Sequence, residues 1–269
     1  MKAIEETTFS VGWLRAVEHL LGVPKGKDVN VVVGFSTITE DSGIRAVLDS
    51  FLDTKNVSSI ETVASTLFPE CWYVPERAAE PRAHLYWCRE RAARVHHRIS
   101  GPHEVETYFD RLVAYPGTKS DPVNQLEEQV LRLQRELRHA GPKSSAYEIG
   151  VSEPGDLRIQ RPGKDRRMMS FPCLSHISLT LHTNAIHLTA LYRNQGFFRK
   201  AYGNYVGLAR LARFFAREVG VGVGEIVCVA SHADVERNVA GQRALELLVA
   251  DCWAVAGSTG GLREVDRAA

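Results

Sequence analysis

Cys173, in Ser170-Phe-Pro-Cys-Leu174, precedes Arg193 by twenty positions, and Asn204 follows eleven positions later. The three side chains form one chemical set. A thiolate is a nucleophile, a guanidinium favours that thiolate and pairs with phosphate in fork geometry, and a primary amide donates one hydrogen bond while accepting another. Together they could attack an electron-poor ring, hold its anionic substituent and read its planar edge. Each alone has a plainer reading: a cysteine packs in a core, an arginine at a strand end is solvated, and an asparagine after a glycine caps a helix. It is the spacing that joins them.

The elements around the trio must bring it together. Leu174–Leu181 and Ala185–Arg193 alternate apolar and polar residues about His182-Thr-Asn184, a pattern that predicts a β-hairpin whose open end returns Arg193 to Cys173. Helical spacing follows over Gly203–Val219, then an apolar strand over Gly224–Ser231 and a helix over Asn238–Ala256. Upstream, Val11–Leu21 reads as a helix leading into a buried strand, Val29–Phe35. Ser42–Phe51, Ser58–Leu67, Ala83–Arg98, Glu104–Val113 and Asn124–His139 read as helices, Ser145–Val151 as a strand, and Gly257–Ala269 as a frayed tail. The order is mixed, and no strand is followed by GxGxxG or GxxxxGK[ST]. The fold class expected is therefore α/β (α+β): one domain over 1–269, with a mixed, largely antiparallel sheet flanked by helices.

Composition narrows the function classes. The 33 basic and 32 acidic residues of this 269-residue chain balance, so no basic surface argues for nucleic acid, and no apolar run is long enough for a membrane span. Five cysteines without CxxC spacing favour neither a disulfide framework nor a metal site, and a cytoplasmic protein with reduced thiols is expected. Cys228 and Cys252 read as core, as do Cys71 and Cys88 beside tryptophans. Positive charge gathers in Ser152–Met169, where Arg158, Arg161, Lys164, Arg166 and Arg167 run towards Cys173.

Pro172-Cys173, Arg193 and Asn204, with Gly224-Glu225-Ile-Val-Cys-Val-Ala-Ser231 after them, resemble the core of the thymidylate synthase and deoxycytidylate hydroxymethylase superfamily, over about 105–236. Thr107-Tyr-Phe-Asp-Arg-Leu-Val-Ala-Tyr-Pro-Gly117 is similar to that family's segment bearing a catalytic tyrosine, here Tyr108. Glu61, opening Glu61-Thr-Val-Ala-Ser-Thr-Leu-Phe68, falls where the family places a catalytic glutamate. The resemblance implies a sheet-stacked homodimer that moves a one-carbon unit from 5,10-methylenetetrahydrofolate to C5 of a pyrimidine nucleotide. It gives Cys173 the attack at C6, Tyr108 and Glu61 the proton transfers, and Arg193, Asn194 and Asn204 the substrate.

Departures from the family pattern shape that expectation. Gly196 stands where a folate-contacting carboxylate is usual, in Arg193-Asn-Gln-Gly196. Ser144-Ser145-Ala146 replaces the arginine pair lent across the dimer, leaving Arg166 and Arg167, or Arg158 and Arg161, of the basic loop as substitutes. Ser231-His-Ala-Asp-Val-Glu236 lacks the usual sugar-binding register, and no counterpart of the closing C-terminal strand is visible, which favours a hydroxymethyl over a methyl product. Two other readings fit the same trio: chemistry on a different heterocyclic acceptor, and a nucleotide-binding homologue without catalysis.

Overall fold

A computed structural model describes residues 1–74, 81–100, 107–117, 121–139, 146–153, 172–257 and 262–264. The chain begins with strand β1 (Lys2–Thr8) and helix α1 (Phe9–Gly22), followed by β2 (Lys27–Thr37), β3 (Thr39–Asp41), α2 (Ser42–Thr54) and α3 (Ile60–Ser65). Helices α4 (Pro81–Ser100), α5 (Tyr108–Val113) and α6 (Gln125–His139) precede β4 (Glu148–Gly150). The carboxyl-terminal half holds β5 (Leu174–His182), β6 (Ala185–Tyr192), β7 (Gln195–Gly196), a π-type turn (Phe197–Ala201), α7 (Tyr202–Val219), β8 (Gly222–Asp234), α8 (Arg237–Ala240), α9 (Gln242–Val255) and β9 (Leu262–Glu264).

Among the described residues β1, β2, β8, β6, β5 and β4 lie side by side in that order, and β7 pairs the end of β8. The sheet is mixed: β2–β8, β5–β6 and β4–β5 run antiparallel, whereas β1–β2, β6–β8 and β7–β8 run parallel. The predicted hairpin is present. His182 pairs with Ala185, and Thr183 and Asn184 take φ of 47° and 60°, the left-handed pair that a two-residue turn of matching twist requires.

The core lies on one face of the sheet. Phe35 of β2 meets Phe9 of α1 and Tyr205 of α7 at 5.7 Å each, so both helices cover the same side. Trp13, fully buried, donates from Nε1 to the Phe197 carbonyl at 2.8 Å, and Tyr202 Oη meets Ser10 Oγ at 2.9 Å. These two bonds fasten the π-type turn and the start of α7 to α1. Helix α3 rides unusually close on α7: a Cβ on Gly203 would stand 2.6 Å from Val63 Cβ, and one on Gly207 2.9 Å from Leu67 Cβ.

Two segments differ from the sequence expectations, and one element had none. The polar amino terminus, which no pattern assigned, is β1, pairing in parallel with β2 at the sheet's edge and burying only Ile4 and Thr8. An edge strand covered on one face carries too few apolar residues to read as a strand. The expected frayed tail contains β9, which pairs with β3. The last predicted helix divides into α8 and α9 at Gly241, whose φ of 84° ends the first. Among the described residues no helix is long and apolar enough to cross a membrane, and no three His, Cys, Asp or Glu side chains gather to hold a metal.

Candidate functional site

The hairpin's open end joins two of the three opening residues. Leu174 pairs with Tyr192, Arg193 N donates to the Cys173 carbonyl at 2.9 Å, and Arg193 Nε donates to the Pro172 carbonyl at 3.0 Å. Arg193 is thereby anchored at the thiol by its backbone amide on the Cys173 carbonyl and by its guanidinium on the Pro172 carbonyl. Cys173 is half-buried. Burial pushes its thiol above the ordinary range, while the charges of Arg193 and Lys200 pull it down.

Tyr108 arrives from the other side. It opens α5 behind a capping box in which Thr107 Oγ1 accepts from Asp110 N at 3.1 Å and Asp110 Oδ2 accepts from Thr107 N at 3.0 Å. Its ring meets Tyr192 edge-on at 6.4 Å. Burial and the neighbouring Cys173 push its phenol up to about 12, against the backbone amides of Leu174 and Cys173 and the charge of Arg193. At neutral pH it is an un-ionised hydroxyl, fit to donate or relay a proton rather than to abstract one.

Asn204 is not a cap. Helix α7 starts after Ala201, with no side-chain capping bond, which places Asn204 inside the first turn. It is 3% exposed. A buried primary amide needs hydrogen-bond partners, and the planar edge of a ligand can supply them.

The remaining expected residues are differently placed. Glu61 forms a two-pronged ion pair with Arg210, at 2.7 Å on each oxygen, and accepts from Ser65 Oγ at 3.2 Å. Burial raises its carboxyl, but the hydrogen bonds and charge of Arg210 outweigh that and hold it below the usual carboxylate range. No described interaction links it to Cys173. Asn194 Oδ1 meets His232 Nδ1 at 2.7 Å on the surface, which ties the end of β6 to β8. Arg166 and Arg167 lie outside the described residues. Cys71, expected in the core, is exposed; Cys88, Cys228 and Cys252 are buried.

Sequence reasoning missed two groups. Lys200, on the π-type turn, reaches Cys173 electrostatically, and its place four residues before Asn204 was the available signal. In the core, Tyr192 Oη and Gln195 Nε2 are buried without a hydrogen-bond partner among the described residues, and Cys228 Sγ lies 3.7 Å from Gln195 Oε1. Gly196 also has a new neighbour. The Glu236 carboxylate fills the space beside it, 2.6 Å from where a Cβ would be, and accepts from Arg199 N at 3.0 Å and Arg199 Nε at 2.7 Å.

No family profile matches the chain. Two archaeal proteins are similar to it, each named "Putative thymidylate synthase". That of Methanothermobacter thermautotrophicus is 28% identical over 144 residues, covering 52% of this chain and 57% of its own length. That of Methanocaldococcus jannaschii is 23% identical over 133 residues, covering 49% and 56%. The chain thus spans a little over half the length of the curated relatives it matches. The likeness is thymidylate synthase-like and distant.

Proposed function

We propose that this chain transfers a one-carbon unit to C5 of a pyrimidine nucleotide through a covalent adduct between Cys173 and C6. The observation that supports it most is the placement of Cys173 beside Arg193 and Tyr108. The distant likeness to proteins named for thymidylate synthesis points the same way.

The thiolate sulfur bonds to C6, and the C5–C6 π electrons move towards the carbonyl oxygen at C4. Asn204 offers that oxygen a donor and the adjacent ring N–H an acceptor; one well-placed donor of this kind contributes about 3–4 kcal/mol. C5, now electron-rich, bonds to the electrophilic carbon of a one-carbon donor at the formaldehyde oxidation level, whose π electrons pass to the donor's own heteroatom, and the C5 proton leaves to water that the Tyr108 hydroxyl can orient. Expulsion of the sulfur from C6 then restores the ring double bond and frees Cys173. Arg193 favours the thiolate and pairs with the substrate's anion. Glu61 is given no step, because its carboxylate is committed to Arg210.

The donor that the resemblance implies, 5,10-methylenetetrahydrofolate, meets a poor fit at Gly196. A carboxylate stands there, from Glu236, yet both its oxygens accept from Arg199. No step is derived through folate. The proposed partner is a second copy of the chain. The helices that pack on the sheet take the other face, leaving Val32, Val229 and Leu191, paired across β2, β8 and β6, partly or well exposed.

The test is release of tritium from C5 of labelled dUMP, UMP, dCMP and CMP, with and without methylenetetrahydrofolate, together with product mass. Cys173-dependent release from one nucleotide is expected. Absence of both release and adduct with all four would overturn the proposal, and a Cys173 adduct with a non-pyrimidine ring alone would favour the other acceptor.

A further inference from the structure

We propose that the outer edge of β1 pairs with β1 of a second copy of this chain, antiparallel about a twofold axis at Ile4. The contact is distinct from stacking on the sheet's open face. It does not depend on the reaction proposed above.

Strand β1 ends the sheet. It pairs in parallel with β2 from Lys2↔Val31 to Thr8↔Thr37, and among the described residues no strand pairs with its other side. Alternate backbone N–H and C=O groups therefore face outward, a template for a further strand. A groove of about 580 Å³ runs along this edge. Its walls are five consecutive residues of β1, Lys2 to Glu6, and the facing side of α1, so it follows the strand rather than one face of it. Of those five residues Ile4 is buried, Glu6 is half-buried, and Lys2, Ala3 and Glu5 are exposed. Arg15 of α1 lies 3.5 Å from both Glu6 and Glu18 and sits over the Trp253 ring at 4.5 Å, which keeps the Glu6 carboxylate on the groove side.

Charged residues guard a sheet edge when an incoming strand leaves them unpaired or meets them with like charge. The order Lys2-Ala-Ile-Glu-Glu6 has the opposite effect against its own copy. With Ile4 on the axis, Lys2 stands opposite the partner's Glu6, Ala3 opposite the partner's Glu5, and Ile4 opposite the partner's Ile4. Lys2, Ile4 and Glu6 share one face of the strand, so each contact forms two opposite-charge pairs flanking an apolar one. Moving the axis to Glu5 sets glutamate against glutamate, and moving it to Ala3 sets Lys2 against the partner's Ile4. Charge thus selects one register. Seven residues make a short contact, at the small end of specific interfaces, so association at micromolar concentrations is expected.

Sedimentation velocity over about 2–200 µM protein at low salt reads the contact for wild type, Lys2→Glu and Glu6→Lys. Each single variant opposes like charges twice, so its association should weaken about tenfold or more, and wild type should reach about twice the mass of either. An equimolar mixture of the two variants should regain the wild-type mass, because every Lys2→Glu copy then offers carboxylates to the lysines of a Glu6→Lys copy. A role of these residues within one copy would not be rescued by mixing. Should Glu6→Lys not fold, Glu6→Gln takes its place, and its mixture with Lys2→Glu should still exceed the mass of either alone. Single variants as heavy as wild type, or a mixture no heavier than its parts, overturns the proposal and leaves the groove to an extended segment of another protein. Nucleotide turnover by Lys2→Glu should match wild type, and absence of turnover in wild type itself would remove the proposed function while leaving this contact standing.

Discussion

Two cysteines of this protein lie beside arginines, and their settings are opposite. Among the described residues the charges that act on Cys173 are cations, Arg193 and Lys200. Cys71 stands near Arg210, but Glu61 and Glu70 accompany that arginine; the effects on its thiol are burial and Glu61 pushing it up, Arg210 pulling it down, and Glu70 pushing it up again. Arg210 is spent on Glu61, and Arg213 on Glu70 at 3.0 Å. Proximity of arginine to cysteine therefore does not mark a reactive thiol. Burial raises both thiols, and the two differ in that carboxylates add to this rise at the exposed Cys71 whereas cations oppose it at Cys173.

The comparison breaks most visibly at the nucleophile. Cys173→Ser should reduce adduct formation and tritium release to background, whereas Cys71→Ser should keep both within about twofold of wild type. Loss of activity in Cys71→Ser would reverse the two assignments. Asn204 comes next. Asn204→Ala removes a donor from the developing oxyanion, so kcat should fall about 10²–10³-fold with a much smaller change in KM. An effect confined to KM would make Asn204 a ground-state contact only.

Between the two regions lies the α3–α7 contact, which places Glu61 on Arg210. Gly203→Ala pushes a methyl to 2.6 Å from Val63 Cβ and 3.0 Å from the Ile60 carbonyl. Overpacking of this kind costs about 1–3 kcal/mol, measurable as a lower denaturant midpoint at unchanged slope. Because Asn204 follows Gly203 directly, turnover should drop along with stability. A variant as stable as wild type would show that α3 can move away freely.

How far the sequence foretold these regions depends on the range of the signal. The hairpin was legible because alternation and a two-residue turn are local, and with it came the Cys173–Arg193 approach. Strand β1 was not, since an edge strand that buries Ile4 and Thr8 alone has no apolar run, and β9 forms only through pairing with the distant β3. Lys200 looked like any surface lysine; its neighbour Arg199 is fixed by Glu236, thirty-seven residues away. The partner of Glu61 is 149 residues distant, and no periodicity within α3 could announce it.

That partner makes Glu61 the finest test of the comparison. Glu61→Gln keeps the side chain's size and one acceptor for Arg210 but removes the anion that pushes the Cys71 thiol up. Glu61 is about half exposed and Glu70 remains 3.4 Å from Arg210, so the stability change should be modest, about 1 kcal/mol or less. Because the folded carboxyl lies below its unfolded value, that contribution is present above the unfolded pKa and fades as pH falls through the folded one. The wild-type advantage over Glu61→Gln should accordingly shrink on acidification below about pH 4. At pH 7.5 the Cys71 peptide should be alkylated about twofold faster in the variant, while the Cys173 peptide keeps its rate. Should the Cys173 profile or kcat move instead, Glu61 would belong with the nucleophile after all, and the two regions would be one electrostatic unit.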